Sequence, residues 1–170
     1  AKPSRMRSGI IKRGNTWSYA LRIADSSGGQ KQKWISSFKT EREAKLARAK
    51  ALAEIDEGSF ASPSRVTLGE YLEEWLKGRE LELKPKTLDG YRYLARSFII
   101  PSLGRVALQK LTPRRLTNFY QGLAVSGGKS GNGLARTTVN RIAALLKKVL
   151  KDAVFIDQLL SANPAERATV

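Results

Sequence analysis

The side chains in this sequence that could do chemistry are mostly cationic, and they recur at helical spacing. Arg136, Asn140 and Lys147 are four and seven residues apart, which places them on one stripe of a predicted helix. A helix fits the major groove of DNA, where Arg and Asn can contact base edges while Lys and Thr hold phosphates. We therefore favour contact with DNA over a merely solvated helix face. The contacts predicted from this helix and from one that opens near residue 85 are Lys84, Lys86, Thr87, Arg92, Arg136, Thr137, Asn140, Arg141 and Lys147.

Two residue types that are central to catalysis and metal binding, Cys and His, are missing. The chain has no Cys and no His, which excludes a Ser-His-Asp triad, a thiol nucleophile, a zinc finger and an imidazole acid or base. Gly128-Lys129-Ser130 matches the end of a phosphate-binding loop, but the pattern requires a further glycine where the chain has Leu123, and a strand where it predicts a helix. The sequence therefore predicts no catalytic residue, no cofactor and no metal site.

Positive charge is concentrated in two separate parts of the chain. The 170 residues contain 31 Lys and Arg against 15 Asp and Glu, a formal net charge of +16. Residues 1–40 contain nine basic residues and one acid, and residues 84–151 contain fourteen basic residues and one acid. A polyanion, most simply nucleic acid, is the expected partner because Lys and Arg displace counterions from its phosphates. The distribution favours two binding surfaces, each on its own domain.

The first basic block predicts a small sheet followed by one helix. Apolar and polar residues alternate over residues 16–23, the pattern of a half-buried strand, and the flanking segments complete a three-stranded antiparallel sheet. Thr40 and Glu43 form a capping box for a helix that runs to about Glu57. Residues 1–60 are therefore predicted to form one domain, with 61–65 as a linker.

One face of this sheet is predicted to contact DNA. We expect the helix to cover the face that bears Trp17, Tyr19 and Leu21, and to leave the opposite face open, while Trp34 could lie on either. Leu52 is expected on the inward stripe of the helix. The predicted DNA contacts of this domain are Arg7, Lys12, Arg13, Arg22 and Lys33, with Arg22 the strongest candidate because alternation places it opposite the aromatic face.

Residues 66–165 predict an all-α bundle of four or five amphipathic helices. The helix starts are marked by a capping box at Thr67, by Pro85 and by Thr112 before Pro113, and the last long helix begins near Arg136. The second helix is expected to run from Lys86 to about Ile99 and to be ended by Pro101 and Gly104. The predicted fold class is therefore α+β: a three-stranded antiparallel sheet with one helix, linked to a helical bundle.

Taken in order, the segments resemble a known family. The chain reads IIKRGNTWSYALRI, KTEREAKLARAKALAEI, VTLGEYLEEWL, LKPKTLDGYRYLARSFIIPSLG, LQKLTPRRLTNFYQGL and ARTTVNRIAALLKKVLKDAV. This order is similar to the N-terminal half of a phage-type integrase of the tyrosine recombinase family. The resemblance implies an arm-type DNA-binding domain over residues 1–60, whose sheet enters the major groove. It also implies a SAM-like core-binding domain over residues 66–165, whose second and fourth helices line the DNA.

Catalysis in this family uses an Arg, a Lys, a His-x-x-Arg pair and a nucleophilic Tyr in a C-terminal domain. The chain has no His, and its five tyrosines lie in the two binding domains. We expect it to be a fragment that binds DNA without cutting it, with residues 166–170 beginning the connection to a missing catalytic domain of a tyrosine recombinase.

The resemblance also implies partners and a place of action. Double-stranded attachment-site DNA, with arm and core sequences, is the expected partner, in the cytoplasm of a bacterial host and without a membrane. Self-association on DNA, an excision or directionality factor and a host bending protein are further expected partners of the full protein.

Two other functions are compatible with the residues. The first is a stand-alone DNA-binding regulator or architectural protein with no parent recombinase. The second is an RNA-binding protein, because a basic surface attracts either nucleic acid.

Overall fold

The chain divides into two units, Ala1–Pro63 and Ser64–Val170, and the division falls within the predicted linker 61–65. The computed structural model describes residues 9–24, 30–58, 60–61, 64–128 and 131–170. Among these residues, no helix is both long enough and apolar enough to cross a membrane.

The first unit is a three-stranded antiparallel sheet followed by a helix, as predicted. Its strands pair in the order β1-β2-β3, and β1 and β2 are joined by a tight turn in which Gly14 adopts a φ of 59°. A positive φ is accessible to glycine at little steric cost, which allows this reversal. The elements are β1 (Ile10–Arg13), β2 (Thr16–Ala24), β3 (Gln30–Phe38) and α1 (Glu41–Asp56).

Helix α1 covers the predicted face of the sheet. Tyr19 and Leu21 are buried against Ala51 of α1. Trp17, predicted for the same core, is only half-buried and lies outside this cluster, at a point where the pairing of β2 with β3 shifts by one residue. Leu52 was expected to point inward, but it is exposed, because the cluster takes its α1 side chains from Ala47, Ala51 and Ile55.

The second unit is a helical bundle around one core, as predicted. Leu72, Leu116 and Leu146, from three different helices, are fully buried in it. Helix starts follow the sequence signals, with Thr67 and Thr112 as N-caps. The helices are α2 (Leu68–Gly78), α3 (Pro85–Leu94), α4 (Ile100–Leu103), α5 (Pro113–Ser126) and α6 (Arg136–Phe155), with short 3₁₀ turns at Leu108–Lys110 and Pro164–Glu166.

The predicted end of the second helix near Ile99 is wrong, whereas Gly104, the other predicted terminator, is the C-cap of the helical segment. Helix α3 continues through a π turn, Ala95–Ile99, directly into α4. Proline has no N–H and its ring collides with the carbonyl four residues earlier, so an undistorted α-helix would be broken here. The π turn widens the backbone just before Pro101: the Ile100 N–H donates to the Ala95 carbonyl, five residues back. The chain stays helical to Leu103, which is buried in the core.

Candidate nucleic-acid interface

The strand register decides which sheet residues share the open face. Arg22 lies opposite Gln32 and Ala20 lies opposite Trp34, while Tyr19 and Leu21 face α1. Because side chains alternate between the faces, Arg13 belongs to the same open face as Arg22. Arg13 and Arg22 are exposed, and the Arg13 guanidinium carbon lies 4.8 Å from the centre of the Trp34 ring. The open face therefore holds two cations and an aromatic ring.

The same register removes two predicted residues from this face. Lys12 pairs with Trp17 and Lys33 pairs with Leu21, so both lysines lie on the side that α1 covers. The expectation that they share a surface with Arg22 needs this correction. Basic residues in adjacent positions of a strand necessarily point to opposite faces, as Lys12 and Arg13 do. The predicted contact Arg7 lies outside the described residues.

In the bundle, the exposed side of α6 carries the predicted stripe. Arg136, Asn140 and Lys147 are exposed along one edge, and Thr137 and Arg141 are exposed nearer the other. Lys147 has a partner of its own, since its Nζ lies 3.5 Å from Glu166 with both side chains about half exposed. Such a surface pair is weak and leaves Lys147 accessible.

A groove between α3 and α6 brings residues of the two basic helices together. Lys86 and Thr87 line it from α3, and Arg141 and Lys148 line it from α6. Tyr93, with an exposed ring, lies in the same groove. The sequence did not single out Lys148 or Tyr93 as site residues, although Lys148 follows Arg141 by seven residues, a spacing that puts both on one edge of a helix.

Arg92 does not share this groove. It follows Thr87 by five residues, which turns it about 140° further around the helix, towards α2. There it pairs with Glu80 and lies 3.7 Å from Asp89, and Arg96 pairs in the same way with Glu73. The hydrogen bonds from Arg96 lower the pKa of the Glu73 carboxyl. Of the residues predicted on this helix, Arg92 therefore lies apart from Lys86 and Thr87, on the side that faces Glu73 of α2 and Glu80 just after it.

The cationic side chains at the groove have no acidic partners among the described residues, unlike the arginines that face α2. Within the described part of the chain, none of the exposed groove and rim cations Lys84, Lys86, Arg136, Arg141, Lys148 and Lys151 makes an ion pair. These six side chains are a concentration of positive charge with no ion-pair partner among the described residues.

The starts of the two groove helices, α3 and α6, also differ from those of the other long helices. Helices α1, α2 and α5 each have a threonine N-cap, whereas α3 and α6 begin after Lys84 and Ala135 with no side-chain cap from the described residues and no acid in the first turn. A cation near a helix N-terminus opposes the helix dipole, while an anion there is favourable. The starts of α3 and α6 thus have the electrostatics of a surface that meets phosphate.

Lys148 is attached to a polar network that holds α6 against α2. Its Nζ lies 5.7 Å from the centre of the Tyr91 ring and 6.0 Å from that of Trp75. The Trp75 indole N–H donates to Asp152 at 2.7 Å, and Arg79 donates to the same carboxylate at 2.6 Å. The aromatic rings give Lys148 a defined place on the wall of the groove.

Two family models match the chain, one over each unit. Residues 10–55 match an arm DNA-binding domain, and residues 67–124 match the N-terminal SAM-like domain of phage integrases. The chain belongs to the phage integrase family. The matched part of the family is its N-terminal part, and the chain spans about one third of the length of the curated relatives it matches.

Individual relatives agree with this assignment. The integrase of Mycobacterium phage L5 is 30% identical over 133 residues, which cover 74% of this chain and 33% of that protein. The solution structure of an integrase-like domain from Bacillus cereus is 29% identical with a TM-score of 0.56, covering 64% of this chain and 86% of that one. A crystal structure of a lambda integrase dimer bound to a core site matches with a TM-score of 0.50 and 16% identity, over 99% of this chain and 47% of that one, a likeness of fold alone.

Proposed function

We propose that this chain binds duplex DNA through two separate surfaces, as the N-terminal part of a phage-type integrase that acts in site-specific integration and excision. The open face of the sheet binds arm-type sequences, and the α3–α6 face of the bundle binds core-type sequences. The parent protein acts as a tyrosine recombinase, and these two domains supply DNA binding rather than strand cleavage.

The observation that carries the proposal is the separation of paired from unpaired cations in the bundle. Arg79, Arg92 and Arg96 are neutralised by acids of the same unit, whereas the groove side, with Lys86 and Arg141, has no acidic partner among the described residues. A surface selected for solubility mixes both signs. One that binds a polyanion leaves its cations available for phosphates.

The sheet supports the same function in a different way. Arg13, Arg22 and Gln32 project from one face, where a twisted ribbon of this width can enter the major groove. Arg and Gln are the side chains that pair with the edges of guanine and adenine. The lambda integrase structure similar to this chain contains a core-site DNA, which supports duplex DNA as the partner.

The remaining partners are proposed from the family. They are a second copy of the protein on the DNA, a directionality factor and a host bending protein, with the bacterial cytoplasm as the place of action.

Binding of the full chain to two labelled duplexes tests the proposal, one with an arm-type and one with a core-type sequence from the attachment site. Arg22→Ala should weaken binding to the arm-type duplex and leave the core-type duplex nearly unchanged, and Arg136→Ala should do the reverse. Equal reductions on both duplexes for either variant would contradict two separate surfaces. Affinity should also fall steeply with salt, since each phosphate that the protein neutralises adds about 0.9 to the logarithmic slope.

A further inference from the structure

Arg13 and Trp34 meet across the full width of the sheet. Arg13 stands on β1 and Trp34 on β3, and β2 lies between them. The intervening side chains of β2 on this face, Ser18 and Ala20, are small and buried. Because Arg13 and Trp34 stand on the two outer strands, a contact at 4.8 Å brings the guanidinium and the ring together above these small residues.

This contact restricts the guanidinium without using its hydrogen-bond donors. A cation over a tryptophan ring is attracted to the negative face of its π system. Among the described residues, the Arg13 guanidinium makes no ion pair and no hydrogen bond. A stacked arginine keeps its N–H groups free at the edge of its plane, and its binding costs less entropy because the side chain is already ordered.

The position of the guanidinium favours a base edge over a phosphate. Strands lie about 4.8 Å apart, so side chains on the outer strands are about 10 Å from each other and face the two rims of a groove. The contact with Trp34 places the Arg13 guanidinium inward of its own strand, towards the base edges that lie between the two rims of the groove. Gln32 is two residues from Trp34 on β3, about 6.6 Å along the strand, and it pairs with Arg22. The polar ends of the Arg13 side chain and of the Gln32–Arg22 pair therefore span about two base-pair steps.

We propose that Arg13 reads one guanine in the arm-type site and that Trp34 positions it to do so; this inference rests on the proposed DNA binding of the sheet. Arg13 is the specificity-determining residue, because a guanidinium can donate to both O6 and N7 of guanine. Trp34 is a positioning residue, which acts through Arg13 and contacts no base of its own.

Selection from a duplex library with a randomised central segment tests this inference with the full chain. The variants are Arg13→Ala, Trp34→Leu and Trp34→Phe. The matched control is Lys31→Ala, which removes the same charge from the sheet at an exposed site on the face that α1 covers. Circular dichroism and thermal melting report whether each variant is folded, and Arg13→Ala changes only an exposed side chain.

The wild type should enrich a motif that contains guanine at one defined position. Arg13→Ala should lower the preference for guanine at that position by about tenfold. Lys31→Ala should keep the whole motif. Trp34→Leu should lower the preference at the same position without changing the salt dependence, and Trp34→Phe, which keeps a ring, should retain part of the preference.

Two results would overturn the inference. One is an unchanged motif for Arg13→Ala, and the other is a reduced preference at a different position for Trp34→Leu, which would make the ring itself the reader. A wild-type chain that enriches no sequence would refute the proposed function, a result distinct from a motif that is insensitive to Arg13.

Discussion

Arg96 and Glu73 are joined by two hydrogen bonds, in which Nε and Nη2 of the guanidinium donate to the two carboxylate oxygens at 3.0 and 2.9 Å. The pair connects the π turn that follows α3 to α2, on the side of the bundle away from the α3–α6 groove. The bundle therefore contains two kinds of arginine. One kind is paired with a carboxylate, and the other has no ion-pair partner among the described residues. Arg96 and Arg141 represent the two kinds.

Substitution of Arg141 should weaken DNA binding more than substitution of Arg96. Arg141→Ala removes an exposed cation that has no acidic partner among the described residues, so affinity for core-type duplex should fall by about tenfold and the logarithmic salt slope by about 0.9. Arg96→Ala removes the same formal charge, but that charge is already matched by Glu73, so affinity should fall by less than about threefold. Fluorescence anisotropy over a range of salt measures both quantities. Equal reductions would show that total charge, rather than the groove, controls binding.

Asp152 should matter more for stability than its single charge implies. Its carboxylate accepts from the indole of Trp75, which is buried in α2, and from Arg79, the partly buried C-cap of that helix. Asp152→Ala leaves both donors without this acceptor, and we expect the free energy of unfolding, measured with urea, to fall by about 2–3 kcal/mol. Glu82→Ala is the matched control, because it removes only the exposed partner of Arg79 and should cost less than about 1 kcal/mol. Similar decreases for the two variants would contradict the central role of Asp152.

Much of the fold could be predicted from local signals in the sequence. The capping boxes at Thr40 and Thr67 and the proline at position 113 marked helix starts that the structure confirms, because these signals depend on a few adjacent residues. The predicted end of the helix near Pro101 was wrong because the π turn that accommodates this proline depends on the packing of Ile99 and Leu103 in the core. That packing involves residues far away in sequence.

The binding surface was predicted less completely, because a face depends on its neighbours. Charge density alone placed Arg92 with Lys86, and only the position of α2 shows that Arg92 faces Glu80. In the sheet, the alternation of β2 was clear, but Lys33 could be assigned to a face only after its pairing with Leu21 was known. Spacing within one element was informative, but it did not reveal partners in another element.

Tyr120 carries a buried hydroxyl that has no hydrogen-bond partner among the described residues. Tyr120→Phe should therefore be neutral or stabilise the bundle by up to about 1 kcal/mol. Tyr71→Phe is the contrasting variant, because the Tyr71 hydroxyl donates to Asp157 at 2.5 Å and its removal should destabilise the bundle by about 1–2 kcal/mol. Urea denaturation at neutral pH measures both. A decrease in stability in Tyr120→Phe comparable to that in Tyr71→Phe would reveal a partner for the Tyr120 hydroxyl.

Stability should fall in alkali because of the same tyrosine. Burial raises the pKa of Tyr120 from 10.0 to about 12, so between these values the folded state keeps a proton that the unfolded state has lost. The contribution of Tyr120 to the free energy of unfolding is therefore fully present below about pH 10. It decreases between pH 10 and about pH 12, by up to roughly 1.4 kcal/mol per pH unit. Tyr120→Phe should reduce the slope of this decrease without abolishing it, because burial also raises the pKa of Tyr71 and of Tyr19. Unfolding curves at several pH values above 9 check the slope.

The uncapped start of α6 should respond in opposite ways to a cap and to a charge. Ala135 has the extended backbone of an N-cap (φ −56°, ψ 140°), so both Ala135→Ser and Ala135→Asp can accept from the free N–H groups of the first turn. Each should stabilise the bundle by about 0.5–1 kcal/mol in urea denaturation. Only Ala135→Asp should weaken binding to core-type DNA, by about three- to tenfold at low salt, because its carboxylate opposes phosphate beside Arg136. If both variants bind DNA as tightly as the wild type, the start of α6 lies away from the DNA; if both weaken binding equally, the free N–H groups rather than charge make the contact.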